Sequence, residues 1–205
     1  MSADDHASWE HNGVTFPSHV TKENLEALNH FKIRDDDTSV LVSYPKTGTN
    51  FVGVTVARIL QAGGKTEESA DDMVTHPLEA TVPSAILPTR LLLEEKSSPR
   101  LVLTHLPIEF VPKGISKPQN KVKVLVTMRN PKDTAVSSFH YDKKLLEVTG
   151  LQHHPLLPWP EFAQSFLDGK VAWGDCDHVL GWWQMRDDPH FLFKYEDMKK
   201  VLIYT

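Results

Sequence analysis

The chain has 205 residues, 40% hydrophobic and 24% charged, the balance of one globular domain, which excludes a chain disordered throughout. With 22 Lys+Arg against 27 Asp+Glu the formal charge is -5, so no global positive field draws in nucleic acid or acidic membrane, and any polyanion site has to be local. The lone cysteine, Cys176, excludes an internal disulfide framework. No Cys/His pair stands at zinc-ligand spacing, and neither an apolar leader nor an apolar run of about 18 residues occurs. These features read as a soluble protein of the reducing cytosol, without metal, nucleic acid or membrane partner.

Residues 1–17 are polar and unpatterned and read as a flexible lead-in to a single domain. Apolar residues near helical spacing predict a short helix over 21–31. The acidic run Asp35-Asp36-Asp37 reads as a solvated turn, and the β-branched stretch from Thr38 to Tyr44 as a strand buried on both faces. Pro45-Lys46-Thr47-Gly48-Thr49 follows as a tight loop, then a helix from Asn50 to Ala62 closed by Gly63-Gly64. Pro77, Pro83, Pro88 and Pro99 break residues 65–100 into loops and short helices. Leu101–His105 and Lys121–Arg129 read as the second and third strands. Asn130 caps and Pro131 opens a helix to about residue 146. Helices over 159–167 and 176–185 and a fourth strand over 191–195 complete the pattern. Alternating strands and helices predict an α/β fold, a parallel sheet flanked by helices.

A glycine-containing loop between a strand and a helix presents backbone N–H groups and the positive end of a helix dipole to an anion. Here Lys46 adds a full charge, and the hydroxyls of Thr47 and Thr49 add donors. The plainer alternative is an ordinary turn in which Gly48 supplies a positive φ and Thr49 or Asn50 caps the helix. The nucleoside-triphosphate loop G-x-x-x-x-G-K-[ST] is not matched, because the lysine precedes the glycine; Gly64-Lys65-Thr66 follows a helix rather than a strand and reads as a coincidence. Arg129 ends the third strand, with Lys132 and Ser137 beyond it, which suggests a second anion site on the same sheet edge and so a ligand with two phosphate groups. Pairing of Arg129 with Asp133 is the structural alternative. His105 ends the second strand, where a neutral imidazole can take a proton from a hydroxyl or amine. Only that location sets it above His76, His140, His153, His154, His178 and His190.

Tyr44-Pro45-Lys46-Thr47-Gly48-Thr49-Asn50-Phe51, Thr104-His105-Leu106-Pro107, Arg129 to Ser137 and Tyr195-Glu196-Asp197-Met198 occur in the order found in cytosolic sulfotransferases, and the chain resembles that family over about residues 15–200. The resemblance implies the sulfotransferase fold, with its P-loop-like sheet, and transfer of a sulfuryl group from 3′-phosphoadenylyl sulfate (PAPS) to a hydroxyl or amine of a small acceptor, without metal. It implies that Lys46, Thr47, Gly48, Thr49 and Asn50 hold the 5′-phosphosulfate, with Lys46 also stabilising the leaving phosphate. Arg129 and Ser137 are implied for the 3′-phosphate, Phe51 and Tyr195 for adenine, and His105 as general base.

Two departures stand out. Leu103 occupies a position where many members carry lysine. The sequence stops at Thr205, whereas the family continues through an Arg-Lys-Gly clamp on the 3′-phosphate, a substrate-gating loop and the dimerisation segment; the expectation is a truncated product, weak or inactive, with homodimerisation left open. Two rivals remain: a non-catalytic decoy that binds donor nucleotide, acceptor or a full-length relative, and a small-molecule kinase, which the missing G-K-[ST] loop disfavours.

Overall fold

The computed structural model describes residues 8–37, 39–74, 76–82, 87–119, 121–149, 157–173 and 176–193. In chain order the elements are β1 (Trp9–His11), β2 (Val14–Phe16), α1 (Lys22–Ala27), β3 (Ser39–Ser43), α2 (Thr49–Ala62), α3 (Ala70–Met73), β4 (Thr81–Val82), β5 (Leu87–Pro88), α4 (Thr89–Glu95), β6 (Leu101–Thr104), α5 (Lys113–Ser116), β7 (Lys123–Thr127), α6 (Pro131–Thr149), α7 (Trp159–Leu167), α8 (Cys176–Trp183) and β8 (Phe191–Phe193). The central sheet runs β6-β3-β7-β8, and each neighbouring pair is parallel.

Both faces of this sheet are covered, which is why its strands are continuous apolar runs rather than alternating ones. Leu41, Leu101 and Leu103 meet Val52, Val56, Ala57 and Leu60 of α2. Val40, Val42, Val102, Val124 and Val126 form the opposite layer with Phe16, Leu28, Phe31, Trp182 and Phe191. Register keeps like with like: Leu41 lies between Leu103 and Leu125, and Val40 between Val102 and Val124. A slip of one residue would exchange the two faces. Leu103 is therefore a core residue under α2, only 2% exposed.

The alternating fold matches the sequence expectation, with α6 running three residues beyond the expected end at 146. Two local expectations fail. Over residues 9–16 the flexible lead-in is replaced by an antiparallel hairpin of β1 and β2. Its turn is Asn12-Gly13, with φ of 50° and 79°, the left-handed pair that a two-residue hairpin turn demands and that Asn-Gly supplies best. Phe16 is fully buried, and the Trp9 indole donates to the Val20 carbonyl at 2.7 Å, so the hairpin packs on the core. The acidic run is not uniformly solvated either: Asp37 is fully buried and paired with the equally buried Arg100. That carboxylate also accepts from Arg34 N at 2.9 Å, Ser98 Oγ at 2.9 Å and Arg100 N at 3.1 Å. Arg100 donates onward to the carbonyls of Leu93 at 2.8 Å and Lys32 at 2.9 Å. The pair thus pins the amino-terminal ends of β3 and β6 to α4.

Gly63-Gly64 closes α2 as expected. Lys65 N bonds Leu60 O at 2.9 Å and Gly64 N bonds Gln61 O at 3.0 Å, with Gly64 at φ 64°, the doubly bonded glycine cap of a helix C-terminus. Gly64-Lys65-Thr66 therefore lies at the carbonyl end of a helix dipole, the wrong end for a phosphate. The expected fourth strand is described to Phe193; Lys194 and Tyr195 lie outside the described residues.

Candidate active site

Parallel pairing of β6, β3 and β7 delivers three loops to one edge: His105 after β6, residues 44–48 after β3, and Arg129-Asn130 after β7. The chain leaves β3 toward β6 and leaves β7 toward β8, so strand order reverses between β3 and β7. That is where open α/β sheets bind ligands.

The loop after β3 folds back on itself. Thr47 N and Thr47 Oγ1 both donate to the Tyr44 carbonyl, at 3.2 Å and 2.7 Å. Thr47 Oγ1 also meets Thr127 Oγ1 of β7 at 2.8 Å, so this hydroxyl braces the loop from inside instead of pointing out as a free donor. Lys46 and Gly48 have φ of 69° and 106°, a left-handed path that glycine adopts without strain and lysine does not. Gly48, not Thr49 or Asn50, is the residue that caps α2, and no side chain caps the helix start. The first-turn N–H groups are therefore left without a side-chain cap, behind a residue at positive φ that glycine adopts most readily. Asn50 and Phe51 sit exposed on that first turn, Phe51 at 41%.

Arg129 reaches across from β7 and donates through Nη1 to the Lys46 carbonyl at 3.0 Å, so the two expected anion loops are tied together. Asn130 caps α6 as expected, its Oδ1 accepting from Lys132 N at 3.0 Å. Ser137 lies two turns into α6 and is half-buried. The Lys46 ammonium lies over the Tyr141 ring, 3.9 Å from its centroid. Burial lowers the Lys46 pKa, the Asp142 carboxylate works against that, and the Arg129 charge adds to it.

His105 is held from two sides. Its Nδ1 lies 2.7 Å from the Ser43 carbonyl, which fixes the Nδ1–H tautomer and leaves the Nε2 lone pair as the basic site. Burial, only partly offset by that carbonyl, pushes the His105 pKa down to about 4, so the imidazole is neutral at pH 7. Behind it, the fully buried Glu79 accepts the His105 N–H and the Thr104 hydroxyl, each at 2.8 Å. Desolvation pushes Glu79 up to about 7, with those hydrogen bonds resisting. Ser43 Oγ bridges His105 Nδ1 at 3.1 Å and Thr49 Oγ1 at 2.8 Å. A polar link thus runs from the His105 ring through Ser43 to the first residue of α2, while Glu79 holds the His105 main chain. His178, set aside on sequence, donates through Nε2 to the His105 carbonyl at 2.9 Å and packs edge-on against Tyr44. Trp173, with φ 76°, sets its ring edge-on to His105 at 5.5 Å.

Glu79, Ser43, His178, Tyr141 and Asp142 carry no motif. Glu79 meets His105 across 26 residues and His178 across 73, contacts that no local pattern encodes.

The sulfotransferase domain model matches residues 36–204. This chain belongs to the sulfotransferase family. Among relatives, it is 37% identical over 182 residues to sulfotransferase 1B1 of Canis lupus familiaris, covering 86% of this chain and 58% of the relative. It is 35% identical over 189 residues to the amine sulfotransferase of Oryctolagus cuniculus, covering 89% and 58%. The mouse sulfotransferase SULT7A1, solved in complex with PAP, superposes with a TM-score of 0.73 at 34% identity, covering 94% of this chain and 62% of that one. The chain thus spans about 58% of the length of these curated relatives. Among the described residues no cluster of His, Cys, Asp and Glu suits a metal ion, and no helix is long and apolar enough to cross a membrane.

Proposed function

We infer that this chain binds a 3′,5′-bisphosphorylated adenine nucleotide across the β3–β7 crevice and transfers a sulfuryl group from PAPS to a small hydroxyl or amine acceptor. The observation that carries the reading is the polar link from the His105 imidazole through Ser43 Oγ to Thr49 Oγ1, which sets a proton acceptor beside an anion-binding helix start. The residues suit such a donor: uncapped N–H groups after Gly48 and the Lys46 ammonium for the 5′ end, and Arg129 with Ser137 for the 3′-phosphate. Phe51 offers an exposed face for adenine; Tyr195 is assigned there by resemblance alone. PAPS supplies the activated sulfuryl group.

His105 Nε2 takes the acceptor proton as the acceptor oxygen or nitrogen bonds to sulfur. Lys46 and the N–H groups at the start of α2 would stabilise the charge that grows on the oxygen leaving with the nucleotide. Leu103, buried under α2, contributes no cation, so this load falls on Lys46 and backbone N–H groups. The single cysteine supports a cytoplasmic setting.

Isothermal titration with adenosine 3′,5′-bisphosphate (PAP) tests the binding claim: heat at micromolar to millimolar ligand is expected, and Lys46→Ala abolishes it. Transfer of labelled sulfate to a phenol or amine, lost in His105→Ala, tests catalysis. Binding with no turnover assigns the chain instead to the non-catalytic decoy reading.

A further inference from the structure

His105 is the first residue past β6, and residues 105–107 belong to no strand or helix. Side chains from distant parts of the sequence hold this main chain instead. Glu79 accepts the His105 N–H at 2.8 Å, and His178 Nε2 donates to the His105 carbonyl at 2.9 Å. The next carbonyl is held in the same way, with Trp182 Nε1 donating to Leu106 O at 3.1 Å. His178 and Trp182 stand four residues apart on α8 and so share one helix face. That face is a two-point brace on the turn that carries the proposed base.

His178 is 4% exposed, with its ring edge-on to Tyr44 at 5.4 Å. Burial, opposed in part by the bond to the His105 carbonyl, pushes its pKa down to about 4, so the neutral ring carries one N–H. A carbonyl oxygen only accepts, so that proton sits on Nε2 and Nδ1 is a bare lone pair. Nδ1 is buried and meets no donor among the described residues. An apolar residue at 178 would remove this unmatched acceptor but leave the His105 carbonyl without its donor. Either choice buries one unpaired acceptor, so the histidine adds little stability over an apolar side chain. What it adds is a fixed place for the His105 carbonyl.

We propose that His178 is a positioning residue for His105: its Nε2–H fixes the His105 carbonyl and with it the backbone from which the base reaches the acceptor. This rests on the reading of His105 as the base of sulfuryl transfer. With the carbonyl held, the ring keeps its Nδ1–H on the Ser43 carbonyl at 2.7 Å and its Nε2 lone pair in one direction, the condition for in-line proton removal.

Transfer of labelled sulfate from PAPS to phenol or benzylamine tests it in two variants. His178→Leu is expected to lower kcat about tenfold, the scale of one lost neutral hydrogen bond. The KM for the acceptor, PAP affinity by calorimetry and the urea unfolding midpoint are expected to stay near the parent values. His178→Gln, whose amide nitrogen reaches as far as the imidazole Nε2, is expected to recover most of the lost kcat. A merely structural histidine gives the reverse, a lower midpoint with kcat per folded molecule unchanged. Nitrogen-15 spectra of the parent need no variant: His178 is expected to be protonated at Nε2 alone. An active parent whose kcat survives in His178→Leu, or is not recovered in His178→Gln, overturns the proposal alone, as does a proton on Nδ1. No transfer by the parent removes the reading of His105 as base, and the proposal with it.

Discussion

The two ends of the central sheet treat buried charge in opposite ways. At the amino-terminal end, Asp37 and Arg100 are both buried, paired with each other and hydrogen-bonded to the surrounding chain. Burial would raise the Asp37 carboxyl, but the Arg100 and backbone hydrogen bonds bring it below its ordinary range. At the carboxyl end the polar groups are held away from their preferred states: Glu79 is buried with hydroxyl and N–H partners in place of a cation, His105 is kept neutral, and Lys46 is partly desolvated. Satisfied charge serves anchoring; under-compensated charge marks a site made to receive something else.

The largest expected effect is at the anchor. Arg100→Ala leaves the Asp37 carboxylate buried without its cation, and about 3–5 kcal/mol of unfolding free energy is expected to be lost in urea titrations, with PAP affinity of the folded fraction unchanged. A loss below about 1 kcal/mol would erase the contrast between the two ends.

Next comes pH. Glu79 has a folded pKa of about 7 against 4.5, so the folded chain holds that proton more tightly; its stabilising contribution is complete below 4.5 and is lost as pH rises through 7. His105 and His178 run the other way: both are pushed down to about 4 from 6.5, so stability is lost as pH falls from 6.5 toward 4. Glu79→Gln isolates the first effect. Its unfolding free energy relative to the parent is expected to improve by about 3 kcal/mol between pH 4.5 and 8, and a difference independent of pH would show that burial leaves the Glu79 carboxyl at its ordinary value.

The smallest stability effect is expected at Gly48→Ala, about 1–2 kcal/mol for a side chain at positive φ. PAP binding should nevertheless fall at least tenfold by calorimetry, because a residue that resists the positive φ of Gly48 shifts the N–H groups at the start of α2. Retained affinity would show that the uncapped helix start is not what holds the nucleotide.

The site was legible in the sequence where chemistry follows strand ends. Lys46, Gly48, His105 and Arg129 each stand one to five residues past a strand that an apolar run announces, and parallel order brings such positions to one edge. What stayed hidden depends on contacts across the fold. Asp37 looks like its two acidic neighbours until Arg100 arrives from 63 residues away, and Glu79 sits in the proline-broken stretch with no periodicity around it. The Asn12-Gly13 turn was readable, but its strands of three residues each are too short to show alternation.

The bond from Arg129 to the Lys46 carbonyl runs through main chain on one side, so it survives any change of the lysine side chain. It holds the loops after β3 and β7 together whatever side chain stands at position 46. On the proposed bisphosphate reading, nucleotides carrying their phosphates in a row, such as a diphosphate, engage one loop, whereas a ligand phosphorylated at both ends of its ribose engages both.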